Sequence, residues 1–324
     1  MNRLTRRATL GAATALALTQ GARAQAYPTK PIRILVPFPA GGIVDIVTRA
    51  LADPMQADLG QTIVVEPRPG GNATLATAMI PQAPTDGYNA VMATISHVVV
   101  PLLQPVPYDP LTDFQPVALA TVATAVATVN PSLPVKTLKE LVEYAKANPG
   151  KLNYLNPGNG SSLHLSTELL KNQYKLDITA VPYRGVPPGV PDLLEGRLQV
   201  GWLPTPLAIQ HVQTGKLRAL AVLGDKRLAT LPEVPTFAEA GFADAQVTSW
   251  YVIAVRAGTP APVVERLHAA ALKALQDPAT RDRLTKAGCE VPPPLSPTEI
   301  VAMWKADYAR YGKLVKEAGI KGES

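Results

Sequence analysis

Short apolar runs alternate with amphipathic helical segments along almost the whole chain. The apolar runs predict short buried strands at residues 31–37, 62–66, 89–95, 152–155, 178–183, 198–203 and 217–223. Helical periodicity predicts helices at residues 43–53, 137–147, 162–174, 189–195, 262–276 and 297–318, with Pro54 ending or kinking the first. This alternation predicts an α/β fold with a mainly parallel sheet covered by helices on both faces.

Two stretches contain few of the glycine, proline, asparagine and aspartate residues that form turns, and they predict a division into two domains. Residues 116–130 and 247–256 are extended, apolar and rich in valine and alanine. A chain of 324 residues is also long for one core. We therefore predict two strands that cross between two domains, the second domain being inserted into the first. The predicted limits are 27–124 with 248–324 for domain 1, and 125–247 for domain 2.

The first 26 residues predict a cleaved export signal. Basic residues at the start precede a short apolar run at 10–18, and Ala22-Arg23-Ala24 fits the small-residue pattern of a cleavage site. The pair Arg6-Arg7 fits a twin-arginine signal, and an ordinary Sec signal fits equally well. No later segment has the length and apolarity of a membrane span, so we expect a soluble protein in the periplasm.

Charge and chemistry-bearing residues argue against several classes of function. The formal charge of +6 falls to +2 once the four signal arginines are removed, leaving 27 basic against 25 acidic residues, so no nucleic-acid partner is expected. The one cysteine, Cys289, predicts a buried small residue and no disulfide within the chain. The four histidines, His97, His164, His211 and His268, lack the spacing of a metal site, and no cofactor motif occurs.

Three loops follow predicted strands and contain small or polar residues. Residues 37–42 (Pro-Phe-Pro-Ala-Gly-Gly) open a helix, residues 156–162 (Asn-Pro-Gly-Asn-Gly-Ser-Ser) open another, and residues 183–189 follow the next strand. Ligands of open α/β sheets sit beyond the carboxyl ends of strands, and a helix N-terminus favours an anion. Taken singly, each loop is also explained as a tight structural turn or a capped helix start.

The chain resembles the substrate-binding proteins of tripartite tricarboxylate transporters, also called Bug receptors. Residues 27–33 (Tyr-Pro-Thr-Lys-Pro-Ile-Arg) lead into residues 37–45 (Pro-Phe-Pro-Ala-Gly-Gly-Ile-Val-Asp), which together are similar to the opening of that family. Further matching motifs follow in order at residues 107–110, 113–114, 160–165, 181–185, 215–222, 231–236 and 257–260. The resemblance covers essentially the whole chain after the signal. The sequence departs from the family pattern at Pro67, in 201–204, at Val252 and at Arg184, which concerns ligand identity more than fold.

The resemblance implies a two-domain periplasmic binding protein of the Venus flytrap type. It implies that the cleft holds a small carboxylate or dicarboxylate through backbone amides and ordered water, and that a membrane transporter of the tripartite type receives it. The resulting candidate ligand-binding residues are Phe38, Pro39, Ala40, Gly41, Gly42, Asp45, Thr94, Ser96, Asn156, Gly158, Ser161, His164, Tyr183, Arg184 and Gly185. A monomer without metal, cofactor or catalytic residues is expected.

Two other functions remain open at the level of sequence. Ser161 and His164 lie three residues apart, so a hydrolase using both is conceivable, although no third member and no nucleophile turn is present. A receptor that signals to a sensor protein, and does not feed a transporter, would have the same sequence features.

Overall fold

The computed structural model describes residues 27–247 and 249–320, so the predicted signal peptide lies outside the described residues. The described residues form a six-stranded sheet and a five-stranded sheet. The first sheet has the order β11-β4-β10-β3-β1-β2. Its strands are β1 (Ile32–Val36), β2 (Ile63–Pro67), β3 (Asn89–Thr94), β4 (Phe114–Ala123), β10 (Ser249–Arg256) and β11 (Cys289–Glu290).

The second sheet is built from the middle of the chain and has the order β7-β6-β8-β5-β9. Its strands are β5 (Ala125–Val129), β6 (Leu152–Asn156), β7 (Ile178–Pro182), β8 (Val200–Pro204) and β9 (Arg218–Leu223). Strands β6, β7 and β8 are parallel, and β5 runs antiparallel to both of its neighbours.

Helices cover the faces of both sheets. They are α1 (Ile43–Leu59), α2 (Thr74–Thr77), α3 (Ser96–Leu103), α4 (Leu138–Ala147), α5 (Ser162–Tyr174), α6 (Val190–Leu194), α7 (Thr205–Gln213), α8 (Ala261–Gln276), α9 (Pro278–Lys286) and α10 (Pro297–Ala318). No helix in these described stretches has the length and apolarity needed to cross a membrane.

The first sheet contains two reversed strands, β10 and β11, and the second contains one, β5; these reversed strands refine the prediction of mainly parallel sheets. In the first sheet β1 pairs in parallel with β2 and β3, whereas β10 pairs antiparallel with β3 and β4. The chain passes from the first sheet to the second at Thr124, the one residue between β4 and β5. It returns through the segment between β9 and β10. The predicted α/β fold with two sheets is confirmed, while the domain limits given above stay a prediction.

The strands could be predicted from sequence because their side chains are buried and therefore apolar. Ile34, Leu35 and Val36 of β1 are almost completely buried, as expected for a parallel strand covered on both faces. Helix α10 packs against α3, β4 and α5, and so touches elements on both sides of the crossing at Thr124. Its Trp304 is buried and stacks near Trp250 of β10, with ring centroids 6.0 Å apart.

Helix α1 differs from its prediction because it continues past Pro54 to Leu59. Proline costs the helix one hydrogen bond, but Met55 and Leu59 beyond it are buried in the core. Gly60 then ends the helix in the left-handed conformation, with φ 67°. Burial of the last turn therefore outweighs the local cost of the proline. The predicted burial of Cys289 is confirmed, although the residue lies in strand β11 and not, as the sequence was expected to place it, at the end of a helix.

Candidate functional site

A cavity of about 530 Å³ lies between the two sheets, at the carboxyl ends of their parallel strands. Loops after β1 and β3 contribute from the first sheet, and loops after β6, β7 and β8 contribute from the second. The short β4–β5 connection and the start of β10 also line the cavity. Its volume falls in the range of small-molecule sites, and its position at strand carboxyl ends is where open α/β sheets bind ligands.

The loop after β1 leaves a helix N-terminus open towards the cavity. Gly41 adopts φ +78°, a conformation that side chains disfavour, and Gly42 occupies the N-cap of α1 without any side-chain cap. The first amides of a helix have no acceptor within it, so the first-turn amides of α1 are available to an anion. Asp45 holds the loop from within the helix, because its Oδ2 accepts a hydrogen bond from Gly41 N at 3.0 Å.

The loop after β6 satisfies much of its own hydrogen bonding. Ser161 caps α5 by accepting from His164 N at 3.2 Å, and His164 Nδ1 accepts from Gly160 N at 3.3 Å. Asn156 Oδ1 accepts from Gly158 N at 3.0 Å. Burial lowers the pKa of His164 to about 4, so its imidazole is neutral at physiological pH and can serve as that acceptor.

Hydrogen bonds join the two halves of the structure beside the cavity, where one half is built on the first sheet and the other on the second sheet. Asn159 N donates to Asn72 Oδ1 at 3.1 Å, and Ser96 Oγ donates to Gly160 O at 3.3 Å. Gly185 approaches the first loop so closely that a Cβ atom there would lie 3.2 Å from Pro39 Cδ. Its φ of +103° also favours glycine. The structure therefore has the two halves in direct contact around the cleft.

No acidic, basic or histidine side chain lines the cavity within the part of the chain that the structure describes. In the same residues, no group of three or more histidine, cysteine, aspartate or glutamate side chains is arranged to hold a metal ion. Any charge recognition at this site must therefore come from backbone amides, hydroxyls and helix dipoles.

The structure brings about half of the candidate residues to the cavity wall. The lining includes Phe38, Pro39, Gly41, Gly42, Thr94, Ser96, Ser161 and Gly185. The remaining candidates, which are not part of this lining, are Ala40, Asp45, Asn156, Gly158, His164, Tyr183 and Arg184. Ala40 and Arg184 are exposed, whereas Asp45, Asn156 and His164 are buried and hold the loops. Tyr183 donates its hydroxyl hydrogen to Asp192.

Sequence reasoning noted residues 201–204 only as a departure from the family pattern and named no candidate residue in the part of the wall that follows β8. Pro204, Pro206, Leu207 and Gln210 line the cavity from the start of α7. The same rule that found the other loops, that ligands sit beyond the carboxyl ends of strands, would have found this one. Residues at the sheet crossing and in β10 were also missed, namely Ala123, Thr124, Ala125, Ser249 and Tyr251.

The family model described as tripartite tricarboxylate transporter family receptor matches residues 47–320. The chain belongs to this receptor family. Protein BugT of Bordetella pertussis is 32% identical over 301 residues, which are 92% of each chain. The resemblance described from sequence is thus confirmed, and proteins of this family and its structural neighbours are solute-binding receptors, not enzymes.

Solved structures of the family superpose on the whole fold. The periplasmic binding protein BugD gives a TM-score of 0.84 at 32% identity, covering 92% of this chain and 100% of that one. The R. palustris protein Rpa4515 with adipate gives 0.85 at 33%, covering 92% and 100%. MatC from Rhodopseudomonas palustris with bound malate gives 0.84 at 32%, covering 89% and 100%. The fold of a periplasmic binding protein is therefore shown for this receptor.

The hydrogen bonds of this receptor do not join Ser161 to His164 as nucleophile and base. Ser161 Oγ accepts from the backbone N–H of His164, and the imidazole Nδ1 accepts from the backbone of Gly160. Both groups thereby shape the start of α5, which is a structural role. This geometry gives no support to the hydrolase hypothesis.

Proposed function

We propose that this receptor binds a small carboxylate in the cleft between its two halves and delivers it to a membrane transporter of the tripartite tricarboxylate type. The observation that carries the proposal is the uncapped N-terminus of α1 beside a cavity whose described lining residues include no charged side chain. A carboxylate placed there accepts hydrogen bonds from the free first-turn amides and is stabilised by the helix dipole.

The ligands of the structural neighbours support this assignment. Rpa4515 was solved with adipate and MatC with malate, both of which are carboxylates. Each of these proteins shares about a third of its sequence with the receptor and superposes over nearly its whole length. An acid is therefore the ligand class that agrees with both the relatives and the open helix N-terminus.

Closure of the cleft supplies the affinity in this proposal. The contacts Asn159–Asn72 and Ser96–Gly160 join the halves, and they would form as the two sheets approach each other around the ligand. Exclusion of water strengthens the hydrogen bonds between amides and carboxylate. The closed form is then the state that a membrane partner recognises. The covalent connections at Thr124 and between β9 and β10 act as the hinge.

Isothermal titration calorimetry against a panel of organic acids tests the proposal. We expect at least one acid to bind with a Kd in the micromolar range or tighter, and the thermal midpoint to rise with its concentration. A folded protein that binds no member of a broad panel would contradict the proposal. Mass spectrometry of small molecules released from the purified protein identifies the natural ligand independently.

The proposal places the mature receptor in the periplasm as a monomer, exported through the signal at residues 1–26. The partner is a membrane transporter, and a pull-down with and without ligand distinguishes it from a sensor protein. Analytical ultracentrifugation of the mature chain tests the expected monomer.

A further inference from the structure

The cavity wall facing α1 is built largely from apolar side chains. Val186 comes from the β7–α6 connection and Pro191 from the first turn of α6, while Pro206 and Leu207 come from the first turn of α7. Leu163 adds to the same wall from α5. A wall of aliphatic and proline side chains binds apolar surface well and offers no hydrogen bond to a charged group.

Three hydroxyl groups of the lining, those of Ser96, Thr124 and Ser249, already donate or share a hydrogen bond within the protein. Ser96 donates to Gly160 O, Ser161 accepts from His164 N, and Thr124 shares a hydrogen bond of 2.7 Å with Thr205. Ser249 donates to Tyr251 at 3.3 Å. Ser96, Thr124 and Ser249 would have to break existing bonds to donate to a second anionic group, whereas Ser161 only accepts in its bond and keeps its hydroxyl hydrogen. A second carboxylate would also find no lysine, arginine or histidine in the described lining.

The exposure of Ile46 points to an apolar ligand surface. Ile46 lies one turn into α1, lines the cavity and keeps 41% of its surface exposed although the two halves are in contact. Large aliphatic side chains on the surface are ordinary when scattered, but this one lines a cavity together with many other apolar side chains. An apolar part of the ligand would cover Ile46 and remove that surface from water.

We infer that this receptor selects a monocarboxylate with an apolar body, such as an alkyl or aryl acid, over a dicarboxylate of the same length. The inference rests on the proposed function, since the carboxylate is assigned to the amides of α1. The apolar body lies against Leu163, Val186, Pro191, Leu207 and Ile46. A second carboxylate in that position would lose its hydration without gaining a partner.

Matched pairs of acids test this inference by calorimetry on the mature protein. The pairs, each of equal chain length, are hexanoate with adipate and octanoate with suberate; hexanamide serves as the neutral analogue. We expect each monocarboxylate to bind at least about tenfold more tightly than its dicarboxylate, and hexanoate to bind more tightly than hexanamide. Tighter binding of the dicarboxylate in either pair would overturn the inference while leaving the proposed function intact. Absence of binding by all four acids, while another acid of the broad panel binds, would also overturn the inference and leave the proposed function intact.

A charge introduced into the apolar wall should shift the preference. Gln210 is exposed on α7 and lines the cavity, whereas Gln213 is exposed on the same helix outside the lining. We expect Gln210→Lys to strengthen adipate binding relative to hexanoate by about fivefold, because the ammonium supplies the missing partner. Gln213→Lys is the matched control and should leave the ratio unchanged. An equal ratio in wild type and Gln210→Lys would overturn the assignment of the apolar body to this wall.

Discussion

The two loops that face each other across the cleft, after β1 and after β6, have the same position in their sheets but opposite hydrogen-bonding states. The first ends in Gly42 at the N-cap of α1, which has no side-chain cap. The second ends in Ser161, whose hydroxyl accepts from His164 N and caps α5. A helix start that satisfies its own amides has less to offer a ligand than one that leaves them free.

The difference teaches that loop composition alone does not identify the binding loop. Residues 156–162 contain more polar side chains than residues 37–42, yet those polar groups bond to one another. Asn156 Nδ2, for example, donates to Asn159 Oδ1 at 2.7 Å. The first loop contributes mainly backbone, and backbone amides at a helix start are well suited to a carboxylate. We therefore assign anion binding to the first loop and loop stability to the second.

The largest expected effect concerns stability of the second loop at low pH. Burial lowers the pKa of His164 to about 4, against about 6.5 in an unfolded chain. Between these values the unfolded chain takes up a proton that the folded one does not, so stability is full above pH 6.5 and falls as the pH drops towards 4. The contribution of His164 to this loss is up to about 3 kcal/mol.

The variant His164→Asn isolates this contribution, because the amide oxygen of asparagine can accept from Gly160 N without titrating. Urea unfolding at pH 7 and pH 4.5 should show a smaller loss for the variant than for the wild type. His97 is also buried, and burial lowers its pKa to about 4. Its contribution to the loss of stability is the same in both proteins and does not affect the difference between them. An identical loss in both proteins would mean that His164 has no role in holding the second loop.

The next effect concerns ligand binding by the first loop. Gly42 has an ordinary φ of −75°, so a side chain is tolerated by the backbone, but a Cβ there would lie 3.2 Å from Pro39 O beside the free amides. We expect Gly42→Val to weaken acid binding at least tenfold, or about 1.4 kcal/mol. Ala40→Val is the matched control, because Ala40 is exposed in the same loop and outside the lining. Equal affinities of the two variants would show that the α1 start is only a turn.

A smaller effect is expected at the cap of the second helix. Ser161→Ala removes the acceptor for His164 N and should lower the free energy of unfolding by about 1 kcal/mol. The affinity for acids should change by less than about threefold, because the carboxylate is assigned to the first-turn amides of α1 and not to this hydroxyl. Ser161→Thr, which keeps a capping hydroxyl, should restore most of the stability. A large loss of affinity with unchanged stability would show that the second loop binds the anion, contrary to the assignment made here.

Much of the fold was predictable because its signals are local. Buried parallel strands such as β1 read as continuous apolar runs. Helix α10 spans the predicted residues 297–318, because the capping box of Ser296 and Glu299 begins it and Gly319 ends it in the left-handed conformation. The prediction of an element's end was wrong where tertiary packing, and not the local sequence, determines that end. The residues around Pro54 do not show that α1 continues past it, because the hydrogen bond lost at the proline is offset by burial of the last turn in the core.

The site was less predictable because its properties depend on residues distant in sequence. The contact between Asn72 and Asn159 spans 87 residues. Whether a polar side chain faces a ligand or its own loop depends on such packing, so Asn156 and His164 could not be separated from Ser96 by residue type. The wall at Pro206 and Leu207 was missed because proline near a strand end looked like loop punctuation.

The smallest effect is expected at Arg184, the one basic residue in the three candidate loops. Arginine forms bidentate hydrogen bonds with carboxylates, so it was the natural alternative to the amides of α1. In the structure Arg184 is exposed and lies outside the cavity lining, although its neighbour Gly185 contacts Pro39. We therefore expect Arg184→Ala to change acid affinity by less than about twofold, because a solvated charge outside the cleft is screened by water and salt. Titrations at low and high salt separate a direct contact from long-range attraction, since only the latter disappears with salt. If Arg184→Ala costs several kcal/mol while Gly42→Val is nearly silent, the carboxylate binds to the guanidinium, and the first loop is the structural one.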